Sequence, residues 1–102
     1  MGNKTHINLS ELVASAHTNA VLHGFWDKPS EVGTLLALIH SEISEALEAH
    51  RHGDKVNFAE ELADTVIRIA DLCGSYNIDL ERAVLDKMAY NSKRPYKHGK
   101  NY

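Results

Sequence analysis

The sequence predicts an all-α fold, an antiparallel helical bundle of about four helices that is completed by oligomerisation. Apolar residues recur at helical spacing in four segments, and no segment shows the alternation of a half-buried strand. The 102 residues include only two prolines and six glycines, so helix breakers are few. The connectors are short, which favours antiparallel packing of consecutive helices. We therefore expect residues 1–102 to form a single domain, with a basic tail at about 93–102.

The first two helices are predicted from their apolar spacing and from the residues that interrupt it. The first runs from about Leu9 to His23, with Asn8 or Ser10 as its N-cap, and Gly24 ends it. The second runs from Ser30 or Glu31 to Arg51. Its apolar stripe comprises Val32, Leu35, Leu36, Ile39, Ile43, Ala46 and Leu47.

The third helix is predicted to begin at Asn57, an N-cap with Glu60 at position N3, and to continue to about Tyr76. Its apolar stripe comprises Phe58, Leu62, Val66, Ile69, Leu72 and Cys73. Ile67 lies opposite this stripe, and a helix with two apolar faces is usually buried on both. Because so short a chain has few ways to bury both faces, we expect a homo-oligomer. The fourth helix starts after Asp79, its N-cap, and ends before a proline.

The charges divide the chain into an acidic middle and a basic end. Residues 42–86 contain eleven acidic and four basic side chains, whereas residues 87–102 contain five basic side chains and no acidic one. This division suits a site that holds both a metal and a polyphosphate, although a solvated tail would show it too. The sequence shows no folded basic face, so we do not expect nucleic-acid binding. A single cysteine, with no signal peptide and no long apolar run, predicts a soluble cytoplasmic protein without a membrane partner.

Two carboxylate pairs are the candidate catalytic and metal-binding residues. Glu42 and Glu45 lie on the second predicted helix, and Glu61 and Asp64 lie on the third. A spacing of three residues places both members of a pair on the same helix face. Two such helices side by side would bring four carboxylates together, and these repel one another unless a cation lies between them. Carboxylates and phosphates together suit Mg²⁺, with Mn²⁺ as the alternative ion. The pattern predicts metal-assisted phosphate chemistry.

A structural alternative is that Glu42 forms an ion pair with Arg68 or Lys87, because a buried carboxylate needs a partner. A single glutamate on an apolar face favours this alternative. Two carboxylate pairs on successive helices favour the metal, because they would require two basic partners at one place. Arg68, four residues after Asp64, is the best candidate for a purely structural ion pair. The chain contains no Glu-x-x-His motif, which argues against a di-iron bundle.

The fourth predicted helix places two polar side chains on its apolar face. Lys87 and Asn91 share a stripe with Leu80 and Val84. A lysine and an amide in this position could reach a phosphate oxygen and a base or sugar edge. Lys87 could equally neutralise the acidic cluster, and the two roles are compatible.

The chain resembles the MazG-like nucleotide pyrophosphohydrolases of the all-α NTP pyrophosphatase superfamily. The resemblance rests on residues 38–49 (LIHSEISEALEA), 60–64 (EELAD), 87–91 (KMAYN) and 94–95 (RP). The superfamily signature is E-E-x-x-E followed after a variable gap by E-x-x-D. Ser41 stands where the family often has the first Glu, which affects the support of the metal ligands and a second metal site. The usual metal ligands correspond to Glu42, Glu45, Glu61 and Asp64.

The resemblance implies Mg²⁺-dependent hydrolysis of (deoxy)nucleoside triphosphates to the monophosphate and pyrophosphate, as house-cleaning of the nucleotide pool. It also implies a homodimer or homotetramer with a site shared between subunits. Trp26 would pack on the base, although a hydrophobic plug at the helix junction is an equal alternative. The other predicted substrate-binding residues are Lys87, Asn91, Arg94 and Lys97.

Two other functions are considered beside this one. A phosphoribosyl-ATP pyrophosphatase shares the fold and the metal chemistry, but the Gly24-Phe25-Trp26 segment and the basic C-terminal end favour the first interpretation. A non-catalytic helical interaction module is disfavoured, because a scaffold has no need of buried acids.

Overall fold

The computed structural model describes residues 5–101, so residues 1–4 and the last residue of the predicted basic tail lie outside the described part. It contains four α-helices: α1 (Leu9–Leu22), α2 (Val32–Arg51), α3 (Lys55–Ser75) and α4 (Leu80–Ser92). A single 3₁₀ turn, Tyr96–Gly99, follows. Residues 5–101 contain no strand, which confirms the all-α prediction. In the same residues, no helix combines the length and the apolar character needed to cross a membrane.

The ends of α1 and α4 follow from local hydrogen bonds that the sequence predicted. Asn8 caps α1 by accepting a 2.8 Å hydrogen bond from the backbone N–H of Glu11, in a capping box. Gly24 follows the end of α1 with a φ of +83°, a left-handed conformation that favours glycine. Asp79 caps α4 by accepting a 3.0 Å bond from the N–H of Arg82. The predicted limits of both helices are therefore close to those observed.

The predicted N-cap of α3 is wrong by three residues. The N-cap is Asp54, whose carboxylate accepts a 3.0 Å hydrogen bond from the backbone N–H of Asn57. Asn57 is therefore at position N3, and the helix begins at Lys55. Both side chains are good caps, and Asp54 takes the position because it lies nearer the turn that Gly53 makes with its φ of +70°.

Helix α3 is the centre of the fold, because it packs against both α1 and α2, whereas α4 contacts α1. Small side chains line these contacts. Ala46 and Ala49 are the buried residues of α2, and Ala70 of α3 is completely buried. At Gly74 the approach to α1 is so close that an added Cβ would lie 2.5 Å from the Cβ of His17. Small residues thus let the helix backbones come close together.

Few side chains are buried within one protomer. The buried apolar residues of the described chain are Ala16, Ala46, Ala49, Ala70 and Cys73, so the prediction that Cys73 is a core residue is confirmed. Eight of the larger apolar residues of the α2 and α3 stripes remain 36–49% exposed, which shows that the protomer does not bury most of the predicted stripes as its own core. These exposed stripe residues are Val32, Leu36, Ile43, Leu47, Phe58, Leu62, Val66 and Ile69.

The protomer is also larger than a compact chain of its length. Its radius of gyration is 16.0 Å, against about 13 Å expected for a compact domain of this size. Its accessible surface is 8189 Å², against about 5,800 Å² expected for a folded monomer of this mass. We propose that further copies of the chain cover the exposed stripes. The expected assembly is a homodimer or a homotetramer.

The oligomer can be tested with one substitution on the α3 stripe. Val66→Glu should lower the solution mass towards the 11.4 kDa of one chain, because association would bury an unpaired charge. Light scattering at micromolar concentration measures the mass. Val56→Glu is the matched control: it makes the same change on α3, at a side that is 73% exposed and away from the stripe. A wild-type mass of 11.4 kDa, or equal masses for the two variants, would contradict the proposal.

Candidate active site

Three of the four predicted metal ligands lie together between α2 and α3. Glu42, Glu45 and Glu61 each offer a carboxylate oxygen, and these oxygens lie within 4.8 Å of one another. The two α2 residues are one helical turn apart, and the close packing of α3 brings Glu61 beside them. We call these residues the three-carboxylate cluster.

The cluster raises the affinity of Glu61 for a proton. Hydrogen bonding to Glu45, and then to Glu42, raises the pKa of Glu61 from 4.5 to about 7, and partial burial and the neighbouring negative charges act in the same direction. The Oε2 atom of Glu61 is buried and has no hydrogen-bond partner within the described chain. A divalent cation would give this oxygen a partner and would remove the repulsion, so the residues fit such an ion.

Asp64 and Arg68 lie beside the cluster on the same face of α3. Asp64 is exposed and lines a cleft that Glu42 also lines, but it is not a member of the three-carboxylate cluster. Arg68 donates a 3.1 Å hydrogen bond from Nε to Oε1 of Glu42. This is the ion pair with Glu42 that the structural alternative predicted. Glu42 therefore belongs to the three-carboxylate cluster and also forms an ion pair with Arg68.

Ser41 does not extend the cluster. Its hydroxyl donates a 2.6 Å hydrogen bond to the carbonyl oxygen of Leu38 in the same helix. The side chain thus satisfies its own polar group locally, as serine often does in helices.

The cleft beside the cluster has a volume of about 460 Å³ and is bounded by α1, the α1–α2 connector, α2 and α3. Glu61, Asp64, Arg68 and Asp71 follow one another along the α3 face at helical spacing. Glu61 and Asp71 are ten residues apart, which corresponds to about 15 Å along a helix axis. The cleft is lined by Ala16, Asn19, Ala20, Phe25, Trp26, Ser30, Leu35, Leu38, Glu42, Asp64, Ile67, Arg68 and Asp71.

A hydrogen-bonded group of three residues closes the far end of the cleft. Trp26 donates a 2.9 Å hydrogen bond from its indole nitrogen to Oδ1 of Asp71, and Nδ1 of His17 lies 2.9 Å from the same oxygen. The rings of His17 and Trp26 meet edge to face with centroids 5.5 Å apart. Trp26 thus lines the cleft and also packs at the helix junction. Sequence reasoning missed His17 and Asp71; the signal for Asp71 was its position seven residues after Asp64.

The structure does not bring the predicted substrate residues of the C-terminal end to this cleft within one protomer. The Lys87 ammonium lies 4.7 Å from the ring centroid of Tyr90, and the Arg94 guanidinium lies 5.6 Å from the same centroid. Asn91 is half-buried, with an orphaned Oδ1, and Lys97 is exposed near Tyr96. No α4 residue lines the described cleft.

Comparison with known families identifies the protein family of this chain. Residues 8–89 match the family described as Phosphoribosyl-ATP pyrophosphohydrolase (PRA-PH). The chain belongs to the phosphoribosyl-ATP pyrophosphohydrolase family. No curated protein and no solved structure gives a significant match. Members of this family are pyrophosphohydrolases, which are hydrolases acting on phosphoric anhydrides, and they fall within the superfamily that the sequence resembles. The match does not single out the MazG-like group.

Pyrophosphohydrolases of this kind typically use a divalent metal, which agrees with the chemistry of the three-carboxylate cluster. A bound ion and a proton would compete for Glu61. MgCl₂ should therefore raise the melting temperature more at pH 8 than at pH 6. With the pKa of Glu61 at about 7, the ion affinity should be about tenfold lower at pH 6 than at pH 8. Thermal denaturation at several Mg²⁺ concentrations measures this.

Glu61→Gln should remove both the stabilisation by Mg²⁺ and its pH dependence. Because the pKa of Glu61 is raised in the folded protein, ionisation of this group destabilises the fold progressively from pH 4.5 to about 7. The variant should therefore melt at a higher temperature than the wild type at pH 8 without added metal. Glu60→Gln, at the exposed neighbouring position, is the control. The assignment is contradicted if Mg²⁺ stabilises both variants equally.

Proposed function

We propose that this chain hydrolyses a nucleoside triphosphate substrate between its α- and β-phosphates and releases pyrophosphate. A divalent ion, Mg²⁺ or Mn²⁺, would be held by Glu42, Glu45 and Glu61. The observation that carries the proposal is the three-carboxylate cluster beside a cleft whose far end is lined by an anchored aromatic ring. The cluster suits the phosphates and Trp26 suits a base, so one substrate could contact both.

The residues along the cleft have separate tasks in this reaction. The ion, when bound, stabilises negative charge on the phosphate oxygens and makes water more acidic. Asp64 lines the cleft beside Glu42 and can accept a proton from the attacking water. Arg68 can offset the charge of the phosphates, because a guanidinium binds phosphate oxygens well. Moving Arg68 towards the substrate would release Glu42 for the ion.

Two substrates fit this chemistry. The family match supports phosphoribosyl-ATP, the alternative in the sequence interpretation, better than it supports general house-cleaning of nucleoside triphosphates. Phosphoribosyl-ATP is an adenosine triphosphate whose base carries a second, phosphorylated ribose. Its hydrolysis between the α- and β-phosphates gives phosphoribosyl-AMP and pyrophosphate.

One observation favours a simple nucleoside triphosphate as the second candidate. The phosphate on the second ribose of phosphoribosyl-ATP lies beyond the base and would need a cation there. In the described structure the far end of the cleft is lined by Phe25, Trp26 and Asp71, and the only basic side chain lining the cleft is Arg68. A carboxylate at this end would repel a phosphate unless another copy of the chain supplies a cation.

Activity on a panel of triphosphates tests the proposal and separates the candidates. Phosphoribosyl-ATP, the four ribonucleotides and the four deoxyribonucleotides are incubated with Mg²⁺, and monophosphate and pyrophosphate are measured. Glu45→Gln and Asp64→Asn should lower kcat at least about a hundredfold without loss of helical signal. Glu60→Gln should leave kcat unchanged. Release of inorganic phosphate in place of pyrophosphate, or full activity in excess EDTA, would refute the proposal.

The basic residues of α4 require a second copy if they bind substrate. Lys87, Asn91 and Arg94 lie on or just after a helix that contacts α1, away from the cluster of their own chain. We propose that they contact the phosphates bound to a neighbouring subunit. Lys97, in the turn after α4, would belong to the same surface.

Subunit mixing tests whether the site is shared. Lys87→Ala alone should raise KM, because an ammonium near the phosphates is lost. When this variant and Glu45→Gln are dissociated and reassociated together, mixed oligomers contain some sites with neither defect. Activity at low substrate concentration should therefore exceed the mean of the two separate variants. No gain after verified exchange of subunits would place Lys87 outside the neighbouring site.

A further inference from the structure

We propose that Asp71 is a positioning residue, which fixes the Trp26 indole and the His17 imidazole so that the far end of the cleft is a preformed wall for the base of the substrate. This inference rests on the proposed nucleotide pyrophosphohydrolase function. It concerns a carboxylate that is not part of the three-carboxylate cluster and lies about 15 Å from Glu61 along α3.

A single oxygen of Asp71 accepts hydrogen bonds from two side chains. Oδ1 of Asp71 lies 2.9 Å from the indole nitrogen of Trp26 and 2.9 Å from Nδ1 of His17. An ionised carboxylate only accepts hydrogen bonds, and an indole only donates one. His17 must then carry its proton on Nδ1, so Asp71 selects that tautomer. The oxygen joins three separate parts of the chain: α1, the α1–α2 connector and α3.

Trp26 needs such an anchor because the turn hydrogen bonds on either side of it, from the N–H of Phe25 to the Ala20 carbonyl and from the N–H of Asp27 to the Gly24 carbonyl, hold the backbone but not the side-chain torsions. The connector between Leu22 and Val32 is a series of turns without regular structure, and Trp26 lies near its middle. A ring on such a segment would adopt several orientations, and ordering it would reduce the affinity for a ligand. The hydrogen bond to α3, the helix that packs against both α1 and α2, removes that freedom before the substrate arrives.

His17 supports Asp71 from behind the cleft. It does not line the cleft, and it packs so closely on Gly74 that an added Cβ there would lie 2.5 Å from its own Cβ. The imidazole therefore cannot move back into α3. Its ring meets the Trp26 ring edge to face. Asp71 is largely buried between the two donors, with 19% of its side chain exposed, so water competes weakly for its oxygens.

The experiment uses the fact that Trp26 is the only tryptophan in the chain, so intrinsic fluorescence reports on this ring alone. Asp71→Ala removes the acceptor, and Trp26→Phe keeps an aromatic ring but removes the donor. Asp86→Asn, on the exposed side of α4, is the control. We measure acrylamide quenching of fluorescence, Mg²⁺-dependent binding of α,β-methylene-ATP, which cannot be cleaved at that bond, and the turnover constants for the best substrate.

Asp71→Ala should increase the quenching of Trp26 and raise both KM and the dissociation constant of α,β-methylene-ATP about fivefold or more, with kcat changed less than about twofold. Trp26→Phe should raise KM and the dissociation constant by a similar factor. The double variant should raise them little further than either single variant, because the two substitutions remove the same hydrogen bond. Asp86→Asn should resemble the wild type.

Two results would overturn the inference while leaving the proposed function intact. One is an Asp71→Ala protein with unchanged KM and analogue binding and a lower melting temperature, which would make Asp71 a structural link only. The other is unchanged quenching of Trp26 in that variant. Failure of the wild type to bind the analogue or to cleave any triphosphate would instead refute the proposed function, and this inference with it.

Discussion

The close packing of α2 against α3 is the constraint on which the rest of the structure depends. The buried residues of these helices are small and include Ala46 and Ala49 of α2 and Thr65 of α3, so the two helices can pack close together. In this arrangement carboxylates from the two helices approach within 4.8 Å of one another. Larger side chains at these positions would separate the helices and pull Glu61 away from its neighbours on α2. The proposed metal site therefore depends on small residues that would not themselves contact the ion.

The charges along the cleft are ordered by the single face of α3 that carries them. The face begins with Glu61, which lines a second cavity with Glu45, and continues through Asp64, Arg68 and Asp71, which line the cleft. Arg68 holds Glu42 by an ion pair, so the arginine and the proposed cation would compete for the same carboxylate. Such competition is a physical reason for a site to change its internal contacts when substrate and metal arrive together.

The sequence predicted the local features of this molecule better than the long-range ones. Helix spacing and capping chemistry located the four helices, and the i,i+3 rule identified carboxylates that the fold does bring together. The cap of α3 was misplaced because two good capping residues, Asp54 and Asn57, lie three positions apart. The contact of Asp71 with Trp26 joins residues 45 positions apart and has no local signature. Periodicity showed that Leu62 and Val66 share an apolar face, but it could not show what covers that face.

The alanine-rich interior has a consequence for the life of the protein in a cell. A protomer whose buried apolar side chains are four alanines and one cysteine in the described region gains little hydrophobic free energy by folding alone. If neighbouring copies cover the remaining apolar faces, folding and association become one equilibrium. Its folded fraction would then depend on how much of the protein is made. Dilution alone would unfold the protein, and free subunits would be natural targets for proteolysis.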